Sequence, residues 1–347
     1  MPRVSVILPT FNSYSFIKER LETILQQTLS DWECIVIDGM STDGSWNFLQ
    51  NKAASDTRFR LYQYPPKGPY DAWNKGIEKA KSEYVYIATS DDTMYTDCLE
   101  TMVNALDLNP DCDIAHCNLI IIDEHGKPFM DKWQWRQFMP GIYFNGWLDQ
   151  PHKRLAPHDG ILHASLHTVY HSITQLLVRK VLFDKVGAFS TRFGAISDFE
   201  WGMRVSLIAN TVHIPRPLAT WRVHGQQLTQ GNKNIHEKIY HTSQLIKLVK
   251  YAFRKAVHIK PKLKGISLFE LLYPYFREMF YYESKLEKNR YLFLLKWLLI
   301  RPDVVYHFLK IPEMFSSEMR LRQENIMWTR KALRDFDLNG HLVNLAS

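Results

Sequence analysis

An α/β fold is predicted for this 347-residue chain: a mostly parallel sheet with flanking helices, then a mostly helical C-terminal region. Three observations predict it. Short β-rich runs alternate with segments of helical apolar spacing from residue 4 to about residue 90. Every polar motif of that half directly follows a run that reads as a strand. From about residue 233 the spacing is helical, punctuated by Pro261, Pro274, Pro302 and Pro312.

The elements follow in order. VSVILPT (4–10) is a strand, and YSFIKERLETILQQT (14–28) carries Phe16, Ile17, Leu21, Ile24 and Leu25 at helical spacing. WECIVIDG (32–39) is a second strand ending at Asp38. A helix over 41–55, a strand FRLYQY (59–64), a loop into a helix over 68–80 and a strand YVYIAT (84–89) complete the series. Strand, helix, strand repeats of this kind wind into a parallel sheet, whose ligands bind beyond the carboxyl ends of the strands. The motifs PTFN, DGMSTDGS, GPYDAWNKG and SDD all sit there, so one pocket is expected.

The later segments are less regular. DIAHCNLIIID and EHGKP read as short strands and turns, followed by an aromatic segment over 131–147 and a stretch holding His152, His158, His163, His167 and His171. None of these histidines forms a pattern such as HExxH, and surface or packing roles are expected for them. SDFEWGMRVSLIA (197–209) reads as a helix entered from a loop. TVHIPRPLATWRVHGQQLT (211–229) reads as a strand, a proline-marked turn and a polar loop.

Composition excludes several classes. With 46% hydrophobic and 13% aromatic residues the chain can build one large domain or two ordinary ones. Its four cysteines are too few and too irregularly spaced for a disulfide framework and form no CxxC pair, so reduced thiols and a cytoplasmic setting are expected. MPRVSVILPTFN lacks the features of a signal peptide. YLFLLKWLLI (291–300), interrupted by Lys296, falls well short of the roughly 20 apolar residues that cross a bilayer. The net charge of +7 is uneven: residues 231–347 hold 21 Lys and Arg against 11 Asp and Glu, whereas residues 1–230 hold 22 against 25. Two regions with different partners are expected, 1–230 and 231–347.

Taken in order, VSVILPTFNSYSFIKERLETILQQT, CIVIDGMSTDGS, YDAWNKGIEKAKSEYVYIATSDD and LFDKVGAFSTRFGAISDFEWGMR resemble the signatures of the inverting GT-A glycosyltransferases of family 2, over about residues 3 to 228. The resemblance implies a nucleotide-sugar-binding GT-A sheet over 1–230, a donor expected to be UDP-linked, and an Mn²⁺ or Mg²⁺ ion. A departing diphosphate concentrates negative charge that a divalent cation neutralises, and carboxylate oxygens suit such an ion. By resemblance Asp92 takes the metal and Asp91 the ribose or nucleotide, supported by Ser90. The family often spells this motif DxD or DxDD, whereas Thr89 and Ser90 precede the pair here, and the two aspartates also suit helix caps.

The resemblance further implies that Asp38 reads the nucleotide base, that Pro9, Thr10, Phe11 and Asn12 form the wall beside it, and that Tyr70, Asp71 and Asn74 belong to a loop approaching the donor. His224 of WRVHG resembles a histidine that closes over the diphosphate and can ligate the metal. Asp198 falls at the position of the base that takes the acceptor's proton. Its usual acidic neighbour is Ser197 here, which leaves Glu200 as a rival. His171, Glu200 and Trp201 are acceptor-side candidates, with Trp201 offering a face for a sugar, and Arg204 reads equally as a structural ion-pair partner.

The expected acceptor is a hydroxyl of a glycan or lipid-linked molecule, in surface polysaccharide or glycoconjugate biosynthesis. A catalytically silent nucleotide-sugar-binding protein is the alternative. A glycoside hydrolase needs two carboxylates flanking one bond, and Asp198 and Glu200 diverge on a helix or a strand. A dinucleotide oxidoreductase needs a glycine-rich first turn that LPTFNSYS lacks. The basic helices LIKLVKYAFRKAV and YLFLLKWLLIRPDVVYHFLK suit an anionic membrane surface, which makes a peripheral placement at the inner face of the cytoplasmic membrane an expectation. Packing on the catalytic domain or on a second subunit, giving a homo-oligomer, is the other reading of these helices. Nucleic acid is not an expected partner, because no reading motif accompanies the charge.

Overall fold

The computed structural model describes residues 1–128, 139–166, 168–225 and 234–345. Its first part follows the expected alternation: β1 (Val4–Thr10), α1 (Tyr14–Leu25), β2 (Trp32–Asp38), α2 (Ser45–Ala53), β3 (Phe59–Gln63), α3 (Pro69–Lys79) and β4 (Tyr84–Ile87). These four strands are parallel, with Thr10 opposite Asp38 and Ile7 opposite Ile87. Side chains of β1 alternate between faces. Ile7 packs with Trp73 and Ile77 of α3, and Val6 and Leu8 pack with Leu21 of α1 on the other side. Gly76 is what lets α3 lie so close, since a Cβ there would stand 2.2 Å from the Ile7 side chain.

Beyond α4 (Cys98–Leu108) the sheet becomes mixed. The chain continues through β5 (Ile114–Ile122), α5 (Met139–Phe144), β6 (His152–Arg154), α6 (His158–Leu166), β7 (Leu176–Arg179), α7 (Lys180–Val186), α8 (Ser197–Ser206) and β8 (Thr211–Arg222). Strand order among the described residues is β3-β2-β1-β4-β7-β5-β8-β6-β9, the last being a C-terminal strand, β9 (Leu342–Asn344). β7 runs antiparallel between β4 and β5. An antiparallel strand starts where its parallel neighbours end, so the turn before β7 is delivered to the carboxyl edge of the sheet.

The turn expected at the prolines of segment 211–222 is absent: β8 is one continuous strand. Pro215 and Pro217 fall where the register against β5 slips around Asn118, so their missing N–H groups coincide with an irregular stretch of ladder. The histidine-rich stretch is dispersed over β6, α6 and the turn before β7, and His152, His158 and His163 are buried. Burial, helped by the charge of Arg154, pushes the His152 imidazole down to about 3, and burial pushes His163 down to about 4. These are neutral packing groups near pH 7. The fifth histidine of that stretch, His167, lies outside the described residues, as do the aromatic segment over 131–138 and the polar loop after Gly225.

The C-terminal helices α9 (Ile235–Ile259), α10 (Leu268–Leu286), α11 (Arg290–Ile300), α12 (Pro302–Lys310) and α13 (Glu318–Asp335) precede a last short strand, β9 (Leu342–Asn344). Pro302 opens α12, where a missing N–H costs nothing, whereas Pro274, expected as a break, lies inside α10. β9 returns to pair antiparallel with β6. Leu248, Leu272 and Leu333 of this region share one apolar cluster with Ile7 and Trp201, so the helices and the sheet have a common core. A separate cluster around Phe280, Phe293, Trp297 and Phe315 holds α10, α11 and α12 together. The boundary expected at 230/231 falls within residues 226–233, which are not described.

Candidate functional site

The carboxyl ends of β1, β2 and β4 open into a cleft of about 610 Å³. Pro9, Thr10 and Phe11 line it from the end of β1, Asp38 from β2, and Tyr70 and Asp71 from the start of α3. Ser90, Asp91 and Asp92 enter from the segment after β4, His171 from the turn before β7, Asp198 from the first turn of α8, and His224 from beyond β8. Asn12 and Asn74 do not line it.

Those two asparagines are structural. Asn12, at φ +48°, accepts a hydrogen bond from the Thr42 N–H at 2.9 Å and donates its own N–H to Ser41 Oγ, tying the β1 loop to the β2 loop. Asn74 makes two 2.9 Å bonds to the backbone of Phe189. Asn12 was expected on the donor wall and Asn74 in a loop approaching the donor, and both instead tie neighbouring segments of the cleft together.

Asp38 is fully buried. Its Oδ2 accepts from the Ser41 N–H and from Gln63 Nε2, both at 2.9 Å, while Oδ1 accepts the Ser41 hydroxyl at 2.6 Å. A carboxylate oxygen carries two lone pairs, so Oδ1 can accept one more donor from a ligand in the cleft.

The adjacent aspartates differ sharply. Asp92 is 2% exposed, with Oδ1 accepting the Arg222 N–H at 2.8 Å and Oδ2 accepting the Thr89 hydroxyl at 2.7 Å. Burial, reinforced by the charge of Asp91, pushes its carboxyl up to about 7. Asp91 is the more open of the two, and its Oδ2 lies 3.0 Å from His224 Nε2. The buried guanidinium of Arg222 fixes the arrangement: its Nε donates to the Asp91 carbonyl at 2.7 Å and its Nη2 to Glu19 at 2.6 Å. Arg222 and His224 are two residues apart, so a strand continued past β8 turns both towards the aspartates.

A carboxylate oxygen beside an imidazole nitrogen is a donor pair that fits one divalent cation. No group of three His, Cys, Asp or Glu side chains suited to a metal occurs among the described residues. Mg²⁺ and Mn²⁺ sites do not require one, since phosphate oxygens and water complete the shell. Within the pair the more accessible carboxylate is Asp91, while Asp92, expected to take the metal, is held by backbone and hydroxyl groups.

Asp198 accepts the Phe199 N–H at 2.8 Å, and burial raises its pKa against the lowering effect of that bond and of the Tyr70 hydroxyl. Tyr70 itself donates to the Ala195 carbonyl at 3.1 Å, tying α3 to the turn that carries Asp198. A partly desolvated aspartate is a stronger base than one in water.

Two acceptor-side candidates are corrected. Glu200 is fully buried and paired bidentately with Arg204, at 2.7 Å to Nε and 2.9 Å to Nη2, and Arg204 also donates to the carbonyls of Val186, Gly187 and Ala188. Trp201 is buried, stacked on Phe183 and Phe189, with its indole N–H donated to Gly187 at 3.2 Å. On a helix Glu200 stands about 160° around from Asp198, into the core, whereas Trp201 stands only about 60° around and is removed from the cleft by its packing on Phe183 and Phe189. Glu200→Gln should therefore act on stability, lowering the unfolding free energy by about 3 kcal/mol, as read from a shifted denaturant midpoint. The cleft chemistry should be retained.

Sequence reasoning passed over Trp221, Arg222, Tyr64, Lys67 and Ser172. Trp221 lines the cleft and meets His171 edge-on at 4.6 Å between ring centroids, and burial pushes that imidazole down to about 4. Period-two alternation through WRVHG was the available signal, placing Trp221 on one side and Arg222 with His224 on the other. Lys67 and Lys75 bring positive charge to the cleft, and Lys75 is ion-paired with Asp71.

Comparison with known proteins shows the family. Residues 5–174 match the model of glycosyl transferase family 2. Through this domain the chain belongs to glycosyl transferase family 2. GlyG of Streptococcus pneumoniae is 34% identical over 127 residues, 36% of this chain and 42% of that relative. A Rickettsia typhi glycosyltransferase is 27% identical over 237 residues, 67% of this chain and 68% of its own. A Campylobacter jejuni β-1,3-glucosyltransferase, named for an undecaprenol-diphosphate-linked glycan, is 32% identical over 105 residues, 30% of this chain and 34% of its own. The chain spans about half the length of other curated relatives that it matches, at 52% and 51%.

The family 2 domain also has the expected fold. Staphylococcus aureus TarS 1–349, solved with UDP-GlcNAc, superposes with a TM-score of 0.56 at 14% identity, covering 96% of this chain and 91% of that one. The mannosyltransferase PcManGT of Pyrobaculum calidifontis, solved with GDP-Man and Mn²⁺, gives 0.53 at 19%, covering 96% and 88%. At these identities the likeness is one of fold, and both alignments extend through the C-terminal helices.

Proposed function

We propose that the cleft binds a nucleotide-sugar donor, with a preference for uridine, and transfers the sugar with inversion to a hydroxyl of a glycan or lipid-linked acceptor. The observation that carries this reading is one cleft holding the Asp91–His224 pair and the desolvated Asp198. Asp38 accepts the N–H of the base, with Thr10 and Phe11 beside it. Asp91 and His224 hold a divalent cation, for which Mn²⁺ and Mg²⁺ are the candidates. When bound, that ion neutralises charge on the leaving diphosphate. Asp92 and Arg222 position the pair.

Asp198 takes the proton of the acceptor hydroxyl as its oxygen bonds to the anomeric carbon. The bond from that carbon to the phosphate oxygen breaks, and the diphosphate leaves with the electron pair. A single displacement inverts the anomeric centre. His171 and Trp221 offer an aromatic flank on which a sugar can pack. A Bacillus subtilis relative described as a putative teichuronic acid biosynthesis glycosyltransferase, and the Campylobacter jejuni enzyme, support a place in surface polysaccharide or glycoconjugate assembly.

The test is nucleotide release from a panel of UDP- and GDP-sugars with Mn²⁺, with Mg²⁺ and with a chelator. Metal-dependent release from one donor, and inverted configuration of the transferred sugar by NMR, are the expected results. Donor binding without release from any of them, with acceptor glycans present, identifies a silent binding protein instead.

A further inference from the structure

Exposed apolar side chains concentrate in α11 and α12. Tyr291, Leu292, Leu295, Leu298 and Leu299 are between 48% and 88% exposed. At 100° per residue they fall in one stripe about 120° wide. Phe293 and Trp297 lie on the opposite side of the helix and pack against Phe280. α11 is therefore apolar on its packed side and on its outward side. Tyr306 and Leu309 of the neighbouring α12 are likewise exposed, at 54% and 65%.

Cations bracket this surface. Lys288 and Arg290 stand exposed at the start of α11, and Lys310 at the end of α12 holds its Nζ 4.6 Å above the Tyr306 ring. Lys296, at the edge of the stripe, reaches back to Glu283 at 2.8 Å. No described helix is long and apolar enough to cross a membrane, and α11 has 11 residues.

We propose that α11 and α12 seat the protein on an anionic lipid bilayer, with the leucines among the upper acyl carbons and Lys288, Arg290 and Lys310 among the phosphates. The chemistry selects lipid over protein. Apart from the tyrosine hydroxyls the stripe offers no polar group to pair across an interface, a bilayer's acyl region asks for none, and lysine is depleted where proteins meet but suited to anionic headgroups. Tyrosines at the margin have the apolar body and polar tip that the headgroup level accommodates. The readout is lipid binding and not sugar transfer, so this inference and the reading of the cleft can fail separately.

The test is flotation of the full chain with vesicles of phosphatidylcholine alone or mixed with phosphatidylglycerol, at low and at raised salt. Wild type should float with the anionic vesicles at low salt and lose binding as salt rises. Leu292→Ser/Leu295→Ser/Leu299→Ser, which alters exposed positions only, should cut the bound fraction at least about tenfold with an unchanged circular dichroism spectrum. Lys288→Glu/Arg290→Glu/Lys310→Glu should cut it by a similar factor on anionic vesicles. Wild type remaining at the bottom of the gradient with both vesicle types overturns the proposal, as does a leucine variant that floats like wild type. A wild-type dimer in light scattering that the leucine substitutions convert to monomer, without vesicle binding, shows that a second copy covers the stripe instead.

Discussion

Asp198→Asn should lower the turnover number by about 10²-fold or more while leaving donor affinity nearly unchanged. The substitution keeps the shape of the side chain and its hydrogen bond from the Phe199 N–H. It removes the ability to take a proton. Because Asp198 lies on the first turn of α8 and Asp38 at the end of β2, with no hydrogen bond between them among the described residues, the base pocket has no reason to change. The contrast with Glu200 sharpens the expectation. Glu200→Gln should unfold earlier and still turn over, whereas Asp198→Asn should unfold at the wild-type midpoint and fail to turn over. If the two variants exchange phenotypes, the base has been placed two residues too early.

Asp91→Asn should have the larger effect, removing metal-dependent activity to the level seen with a chelator. Its carboxylate is the open member of the pair and lies 3.0 Å from His224 Nε2, so its loss takes from the site the carboxylate that stands beside the imidazole. His224→Ala should weaken metal dependence less, since a carboxylate alone still attracts the ion. Asp92→Asn should act differently again. Asp92 accepts bonds from the Arg222 backbone and from Thr89, and an amide reproduces the acceptor half of that arrangement. Titrating Mn²⁺ at fixed donor for the three variants separates these roles. Asp91→Asn should need far more ion than Asp92→Asn, and the reverse order returns the metal to Asp92.

The parallel half of the sheet was legible because apolar runs and helical spacing alternate there without interruption, and the ends of those runs located the cleft. The path of residues 211–222 was not legible. Prolines usually end strands, and only the slipped register against β5 shows why Pro215 and Pro217 are tolerated. The return of β9 to the edge at β6 depends on contacts distant in sequence, which local pattern does not carry. Within the site, residue types led to one shared cleft but did not tell neighbouring groups apart. Two adjacent carboxylates look alike in sequence, and what distinguishes them is that the Arg222 N–H meets Asp92 while His224 meets Asp91. Glu200 and Arg204 could have been separated from the site earlier, since their i, i+4 spacing on a helix is that of an ion pair.

The central claim is that a nucleoside diphosphate is held in this cleft through a divalent cation on Asp91. Calorimetric titration of UDP and GDP into the full chain with Mn²⁺, repeated with chelator and with Asp91→Asn, tests it most directly. Saturable binding of one nucleotide, stronger for UDP, that disappears both with chelator and in Asp91→Asn is the predicted result. Binding of equal strength with chelator, or binding retained in Asp91→Asn, would contradict the claim.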